Sequence, residues 1–255
     1  EAGTLDDGAG GAASYTPQQI RLASALTTGA VTATCSSTDI AAILHADTGL
    51  SETGHNITVT VATASVTGAQ LVSLDAKTDV QVSIGSTTVT GAVADILSAY
   101  GSSGLTGLGN EAITVTDASI TVAQANVISA LTTGVVTATI SDNDMTTLAG
   151  LNETGNAYTV TVTDASVSAS ALNTLDSKTT VSVIATAINT ITGTAAQINA
   201  VYAAGVNGTI SGLGNEAVII SDTSLSAALL LIIDAFTTGL VVAPYATTII
   251  GTFSE

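Results

Sequence analysis

Residues 107–139 read GLGNEAITVTDASITVAQANVISALTTGVVTAT, and their parts recur on both sides. GLGNEA at Gly107 returns 105 residues on, at Gly212. ALTTG stands at Ala25 and Ala130 and returns as AFTTG at Ala235, again in steps of 105. A 105-residue unit is therefore present about two and a half times in a chain of 255 residues. Every copy must solve the same packing problem as its neighbours, so a fixed period outranks other readings of the pattern.

A shorter period lies inside the long one. Val59, Val115 and Val160 are each followed 23 residues later by an equivalent apolar position, at Val82, Ala138 and Val183. Around these positions Val, Ile and Thr alternate, as in Val31-Ala33-Cys35 and Ile113-Val115, which reads as half-buried strand. Between them lie segments with helical spacing. VTGAQLVSLDAKT (66–78), ITVAQANVISALTT (120–133), VSASALNTLDSKT (167–179) and LSAALLLIIDAFTT (225–238) align, with Leu74, Ile128, Leu175 and Ile233 in one column. VTGAVADILSAY (89–100) and ITGTAAQINAVY (191–202) make a second helix type, with Tyr100 and Tyr202 equivalent. STDIAAIL (37–44) and DNDMTTLAGL (142–151) make a third, with Ser37 or Asp142 as the expected N-cap.

A strand returned by a helix in so few residues forces neighbouring strands to be parallel. The pattern predicts an α/β solenoid of about nine strand–helix turns, each of ~23 residues, with one parallel sheet backed by a layer of short helices. A right-handed β-solenoid is the alternative if the Ala-rich segments are not helical, and a doubly wound sheet is a further rival. Residues 1–15 are expected to be a flexible or partner-contacting segment. Residues 16–255 are expected to form a single repeat body, divided 16–106, 107–211 and a partial 212–255. The place equivalent to the Ile113 strand is GAGGA (8–12), a poor strand former.

Composition narrows the function. Twenty acidic residues against three basic ones, Arg21, Lys77 and Lys178, give a net charge of −17. Phosphate contacts need Lys and Arg, so nucleic acid is an unfavoured partner, as is an anionic membrane surface. The longest apolar run, AALLLII (227–233), is too short to span a bilayer. Cys35 is the lone cysteine, so no intrachain disulfide forms. No GxSxG, HExxH, CxxC or Walker sequence is present, and the chain is read as a non-enzyme.

GLGNEA, TVTDAS, LNTLDSKT and ITGTAAQINAVYAAG together resemble the repeats of giant Thr/Ala-rich cell-surface proteins of marine cyanobacteria. The giant swimming-associated protein and similar secreted bacterial repeat proteins belong to that group. The likeness spans roughly residues 57–248. It implies a secreted or cell-surface location and a fibrous or coat-like role, with no catalytic residues.

Four candidate features follow. Thr58, Thr60, Thr114, Thr116, Thr137, Thr139, Thr159 and Thr161 fall between the buried strand positions and form an expected exposed face. Stacked strands would space them about 4.7–4.9 Å apart, as on ice-binding solenoids, although Thr is also simply a good residue for an exposed strand. Asp142-Asn143-Asp144 and Asp6-Asp7 are oxygen-rich enough to suggest Ca²⁺, the one cofactor considered, but match no full loop motif. Glu111 and Glu216 read as repeated turn residues rather than a catalytic pair, while His45, His55, Lys77 and Lys178 read as surface residues, the lysines paired with acids. Leu229, Leu230 and Leu231 replace the Gln124-Ala125-Asn126 of the previous copy, and Phe236, Pro244, Tyr245 and Phe253 gather nearby. Added apolar surface on a polar helix column marks a contact. The expected role is thus a structural subunit or segment of a surface fibre, filament, sheath or coat, stacking head to tail on itself. An adhesin-like or phage-fibre-like binding module is the alternative.

Overall fold

Short parallel strands alternate with short helices throughout the residues that the structure, a computed structural model, describes: 3–5, 13–51 and 53–251. Packing divides the chain into two units, Glu1–Asp117 with Ile128–Val136, and Ala118–Val127 with Thr137–Glu255.

In the first unit the strands are β1 (Gly3–Thr4), β2 (Ser14–Tyr15), β3 (Val31–Cys35), β4 (Asn56–Thr58), β5 (Thr60–Val61), β6 (Ser65–Thr67), β7 (Val82–Ile84), β8 (Thr88–Gly91), β9 (Leu105–Thr106) and β10 (Ala112–Val115). Its helices are α1 (Pro17–Ser24), α2 (Ile40–Ile43), α3 (Gly68–Asp75) and α4 (Val93–Gly101). β5, β7 and β9 form one parallel ladder, with Thr60 opposite Ser83 and Val82 opposite Leu105. β6, β8 and β10 form another, with Ser65 opposite Thr88 and Thr88 opposite Ala112. Partners are thus 23 or 24 residues apart, which is the length of one coil. β1 and β4 both pair with Thr32, so they lie on opposite edges of β3; β2 and β4 do the same at Thr34.

Helix α5 (Val122–Ser129) and strand β11 (Val136–Thr139) straddle the boundary between the units. The second unit continues with α6 (Met145–Leu148), β12 (Ala157–Thr159), β13 (Ser166–Ser168), α7 (Ala169–Asp176), β14 (Val183–Ile184), β15 (Thr190–Gly193) and α8 (Ala195–Asn207). Then come β16 (Ile210–Ser211), β17 (Ala217–Ile220), β18 (Ser224–Ser226), α9 (Ala227–Phe236), β19 (Val241–Val242) and β20 (Thr248–Ile250). β13, β15, β17 and β19 form its longest ladder; β14 pairs β16, β18 pairs β20, and β12 pairs β11, all parallel.

The α/β class and the parallel, repeat-like pairing are as expected, and the helices exclude the all-β alternative. Strands follow one another along each ladder without a reversal of order, unlike a doubly wound sheet. The single sheet is corrected. A coil carries two short strands separated by a bend, so the sheet is broken into several ladders. Glycine explains one such break. Gly107, between β9 and β10, has φ +87°, and a Cβ there would collide with the Ile84 carbonyl. Only glycine adopts that conformation without strain.

Helix starts are well specified. Thr16, Thr67 and Thr194 form capping boxes with Gln19, Gln70 and Gln197, and Pro17 sits in the first turn. The caps of α2 and α6 are Asp39 and Asp144, two residues beyond the expected Ser37 and Asp142. The helix begins where the first apolar residue follows. Leu74, Ile128, Leu175 and Ile233 are buried, as the alignment column requires, each worth about 1.5–3 kcal/mol relative to exposure. α3 packs on α4, α7 on α8, and α8 on α9. The start of the chain also differs from expectation: Gly3–Thr4 takes the strand position beside Val31–Thr32. GAGGA lies outside the described residues.

Candidate functional site

Successive coils are tied by side chains as well as by ladders. A carboxylate at the end of one strand accepts the first free N–H of the helix in the coil before it. Asp117 Oδ2 takes Val93 N at 2.7 Å, Asp142 Oδ2 takes Val122 N at 2.7 Å, Asp164 Oδ2 takes Met145 N at 2.8 Å, and Asp222 Oδ2 takes Ala195 N at 2.7 Å. In α2 the same place is filled by Thr63 Oγ1, on Ile40 N at 3.0 Å. Helix N-termini leave N–H groups unsatisfied and carry partial positive charge, so an acid from the neighbouring coil fits both needs.

Threonine hydroxyls make a second kind of tie. Thr78 Oγ1 donates to Ile57 O at 2.7 Å and accepts Ile57 N at 2.9 Å. Its equivalent Thr179 does the same to Tyr158, at 2.6 and 3.0 Å. Thr132 donates to Glu111 O at 2.6 Å, and Thr237 to Glu216 O at 2.7 Å. These hydroxyls stay within the hydrogen-bonding ladder rather than facing water.

Basic residues supply a third tie. Lys77 Nζ donates to Ser51 O at 3.3 Å, and Lys178 Nζ to Asn152 O at 2.9 Å. Among the described residues, these lysines bond to loop backbone rather than to the expected acids. Arg21 donates to Ala46 O at 2.8 Å, and Asn126, at the equivalent position, to Gly150 O at 2.7 Å. His55 is also corrected: it is buried, 8 % exposed, and its Nδ1 accepts Val31 N at 3.0 Å. His45 is exposed and accepts the Asp47 and Thr48 amides of its own turn.

Glu111 and Glu216 are among the least exposed residues, at 1 % and 0 %. Each folds back on its GLGN loop. Glu111 Oε2 accepts Gly109 N and Tyr100 Oη, both at 2.8 Å; Glu216 accepts Gly214 N at 2.9 Å and Tyr202 Oη at 3.2 Å. Burial, then the adjacent Glu111, pushes the Tyr100 phenol well above its ordinary range, and burial does the same to Tyr202. This pair closes a loop in both copies. Sequence alone marked the Glu as a turn residue; its Tyr partner, 11 or 14 residues upstream, gave no local signal.

The copies diverge beside Tyr202. Helix α8 runs four residues longer than α4 and ends at Gly208, φ +81°. A cavity of about 350 Å³ opens there, walled by Tyr202, Val206, Leu213 and Phe236. The Phe236 ring stacks on Tyr202 at 5.5 Å, where the other copy has Leu131.

Among the remaining expected residues, Leu231, Phe236, Pro244 and Tyr245 are exposed and Leu229 and Leu230 half-buried. Phe253, Asp6 and Asp7 lie outside the described residues. Asp144 Oδ1 caps α6 through Thr147 N at 2.9 Å, and that amide holds its carboxyl below the usual range. Asp142 is the cap on Val122 and Asn143 O accepts Thr163 N at 2.9 Å, so the oxygen cluster serves caps and backbone. Among the described residues, no group of three or more His, Cys, Asp or Glu could hold a metal ion. Thr58, Thr60, Thr116, Thr137 and Thr139 are exposed and Thr114, Thr159 and Thr161 half-buried. Their columns are short: Thr58 lies beside Thr34 and Thr139 beside Thr159, but Thr60 beside Ser83 and Thr137 beside Ala157. No described helix is long and apolar enough to cross a membrane. No protein-family model, curated protein or solved structure matches the chain.

Proposed function

We infer that this chain is a structural protein of the cell exterior: a subunit or segment of a fibre, filament, sheath or coat. Its coils run on as one solenoid, and copies associate end to end. The observation that supports this best is the repeated set of ties from each coil to the next: carboxylate to helix N-terminus, threonine to carbonyl, cation to loop. Nearest-neighbour ties of this kind make stability a sum over coils, which suits a durable repetitive element. The resemblance to giant surface-protein repeats and the near-absence of cations point the same way. In this reading the chain has no catalytic role, does not bind nucleic acid and takes no obligatory cofactor. Calcium remains a weak surface ligand, testable by the shift in Tm on titration.

The cavity beside Tyr202 favours a second reading, a binding module of adhesin or phage-fibre type, because the helix extension and the Phe236 ring that wall it are not repeated at Tyr100, where α4 is shorter and Leu131 stands in place of Phe236. The exposed threonines allow an ice-binding variant of that reading, which thermal hysteresis measurements would reveal. Electron microscopy of the purified protein separates the main readings. Filaments or sheets are expected; monodisperse particles at high concentration would refute assembly and turn attention to the cavity.

A further inference from the structure

The binding-module reading leaves open what the cavity beside Tyr202 takes, and the two copies of this region bear on it. Both keep GLGNEA, the bond between Glu and Tyr, and the threonine tie to the glutamate carbonyl. The first copy closes this part of the fold with Tyr100 only 11 residues before Glu111, and with Leu131. The second places Tyr202 14 residues before Glu216 and carries Phe236. The longer segment and the new ring meet at the cavity. Folding requires neither, since the first copy closes the same bonds without them. All the walls lie between residues 202 and 236, and β19 and β20 follow them in the chain, so coils within the chain form the cavity.

Both departures also work against stability. Gly205 stands within α8, where glycine is less stable than alanine. A Cβ there would find room, with Leu213 Cδ1 at 3.4 Å and Ile210 O at 3.9 Å. Val206 is 71 % exposed and Phe236 36 %. Local rules broken together at one point of a regular fold tend to coincide with function.

The chemistry of the walls narrows the ligand. Val206, Ile210, Leu213 and the Tyr202–Phe236 pair are apolar, and among the described residues no Asp, Glu, Lys, Arg or His lines the cavity. Glu216, bonded to Tyr202, is 0 % exposed and already holds Gly214 N. A charged ligand would lose its hydration without gaining a counter-charge. A sugar would bring hydroxyls for which Ser211 is the one side-chain partner besides Tyr202, and Ser211 Oγ already donates to Val183 O at 3.2 Å. A flat apolar ring meets a prepared surface, because the Tyr202 and Phe236 rings stack at 5.5 Å and 13° from parallel, and aromatic pairs gain energy beyond the area they bury. A volume of about 350 Å³ is at the small end of the roughly 300–1,000 Å³ of ligand sites.

We propose that this cavity binds a small, uncharged aromatic molecule, packed against the Tyr202–Phe236 pair. The proposal rests on the binding-module reading.

Indole is the probe, with benzoate, tetramethylammonium and methyl glucoside for comparison, followed by saturation-transfer NMR on the full chain. Indole is expected to bind with a Kd of roughly 0.1–1 mM, as its few heavy atoms allow, and the other three about tenfold more weakly or worse. Phe236→Leu, which restores the side chain of the first copy, is expected to weaken indole about two- to tenfold. Gly205→Leu fills the cavity from α8 and is expected to abolish binding while Tm holds or rises, which separates blocking from unfolding. Indole binding unchanged in both variants overturns the site. A preference for the glucoside or a charged probe, lost in Gly205→Leu, overturns the ligand class and leaves the binding module standing. A capped Gly-Trp-Gly peptide that binds much more tightly than indole overturns the free molecule as the source of the ring, in favour of a protein partner. No binding of any probe overturns both the site and the binding module.

Discussion

Replacing Asp222 by Ala should destabilise the second unit by about 2 kcal/mol, and the reason lies in how α8 starts. Thr194 Oγ1 takes the Gln197 amide and Gln197 Oε1 takes the Thr194 amide, so the capping box uses two donors. Ala195 N is not among them; it is taken by Asp222 Oδ2, 27 residues further on, at 2.7 Å. A hydrogen bond to a charged group contributes about 1.5–3 kcal/mol. The interaction of a carboxylate with a helix N-terminus contributes about 0.3–1 kcal/mol, and overlaps with it. Half-exposure brings the sum down to about 2 kcal/mol, or roughly 4–8 °C in Tm for a chain of this size. Asp222→Asn keeps an acceptor and loses the charge, so about half the effect should remain. Urea unfolding measures the energies, and amide exchange at Ala195 localises them, since that N–H should exchange faster in the Ala variant. A Tm within about 1 °C of the parent, with Ala195 exchange unaltered, would mean that the carboxylate is a surface group and the ties between coils lie elsewhere.

The other expectations concern burial, space and protonation. Asp144 has a depressed carboxyl pKa, so its stabilisation is present above the unfolded value of about 3.9 and lost as pH falls through the folded value. Asp144→Asn should therefore be less stable at neutral pH and converge on the parent in strong acid, as followed by acid unfolding. Tyr100 and Tyr202 have raised phenol pKa values; their contribution is full below about pH 10 and lost as pH rises further. The phenolate absorbance removed by Tyr100→Phe should consequently appear only with alkaline unfolding, and appearance in the folded protein near pH 10 would contradict the burial. A Cβ on Gly134 or Gly239 would collide with the backbone of Glu111 or Glu216. Either Gly→Ala change should cost about 3 kcal/mol or more and be visible as a fall in soluble yield and Tm, whereas Gly155→Ala, with open space around it, meets only the strain of its positive φ. Burial raises the Cys35 thiol pKa, so thiol labelling near pH 8 should be slow in the folded protein and rapid in denaturant.

What the sequence disclosed and what it withheld divide along a physical line. The column Leu74, Ile128, Leu175 and Ile233 was legible because helical spacing and core burial are local properties, and a 105-residue period repeats them. The two strands per coil were not, because the bend at Ala62–Ala64 is built from residues with no strong turn preference, so nothing but the odd step from Val61 to Val66 marks it. Asp142 shows the limit most clearly. Beside Asn143 and Asp144 it resembles either a cation ligand or a cap for the helix that follows it. Its oxygen instead meets Val122, 20 residues earlier, and leaves the local cap to Asp144. Only the stacking of coils brings that N–H within reach, so no window of sequence contains both partners. The same holds for Lys178 with Asn152, 26 residues apart. In a repeat fold the ties that matter join positions one coil apart. Composition can say that Asp, Thr and Lys recur, but which neighbour each one serves is decided by the register of the ladders. Leu231 is the exception that carries information in sequence, because two copies show the polar residue that it replaced.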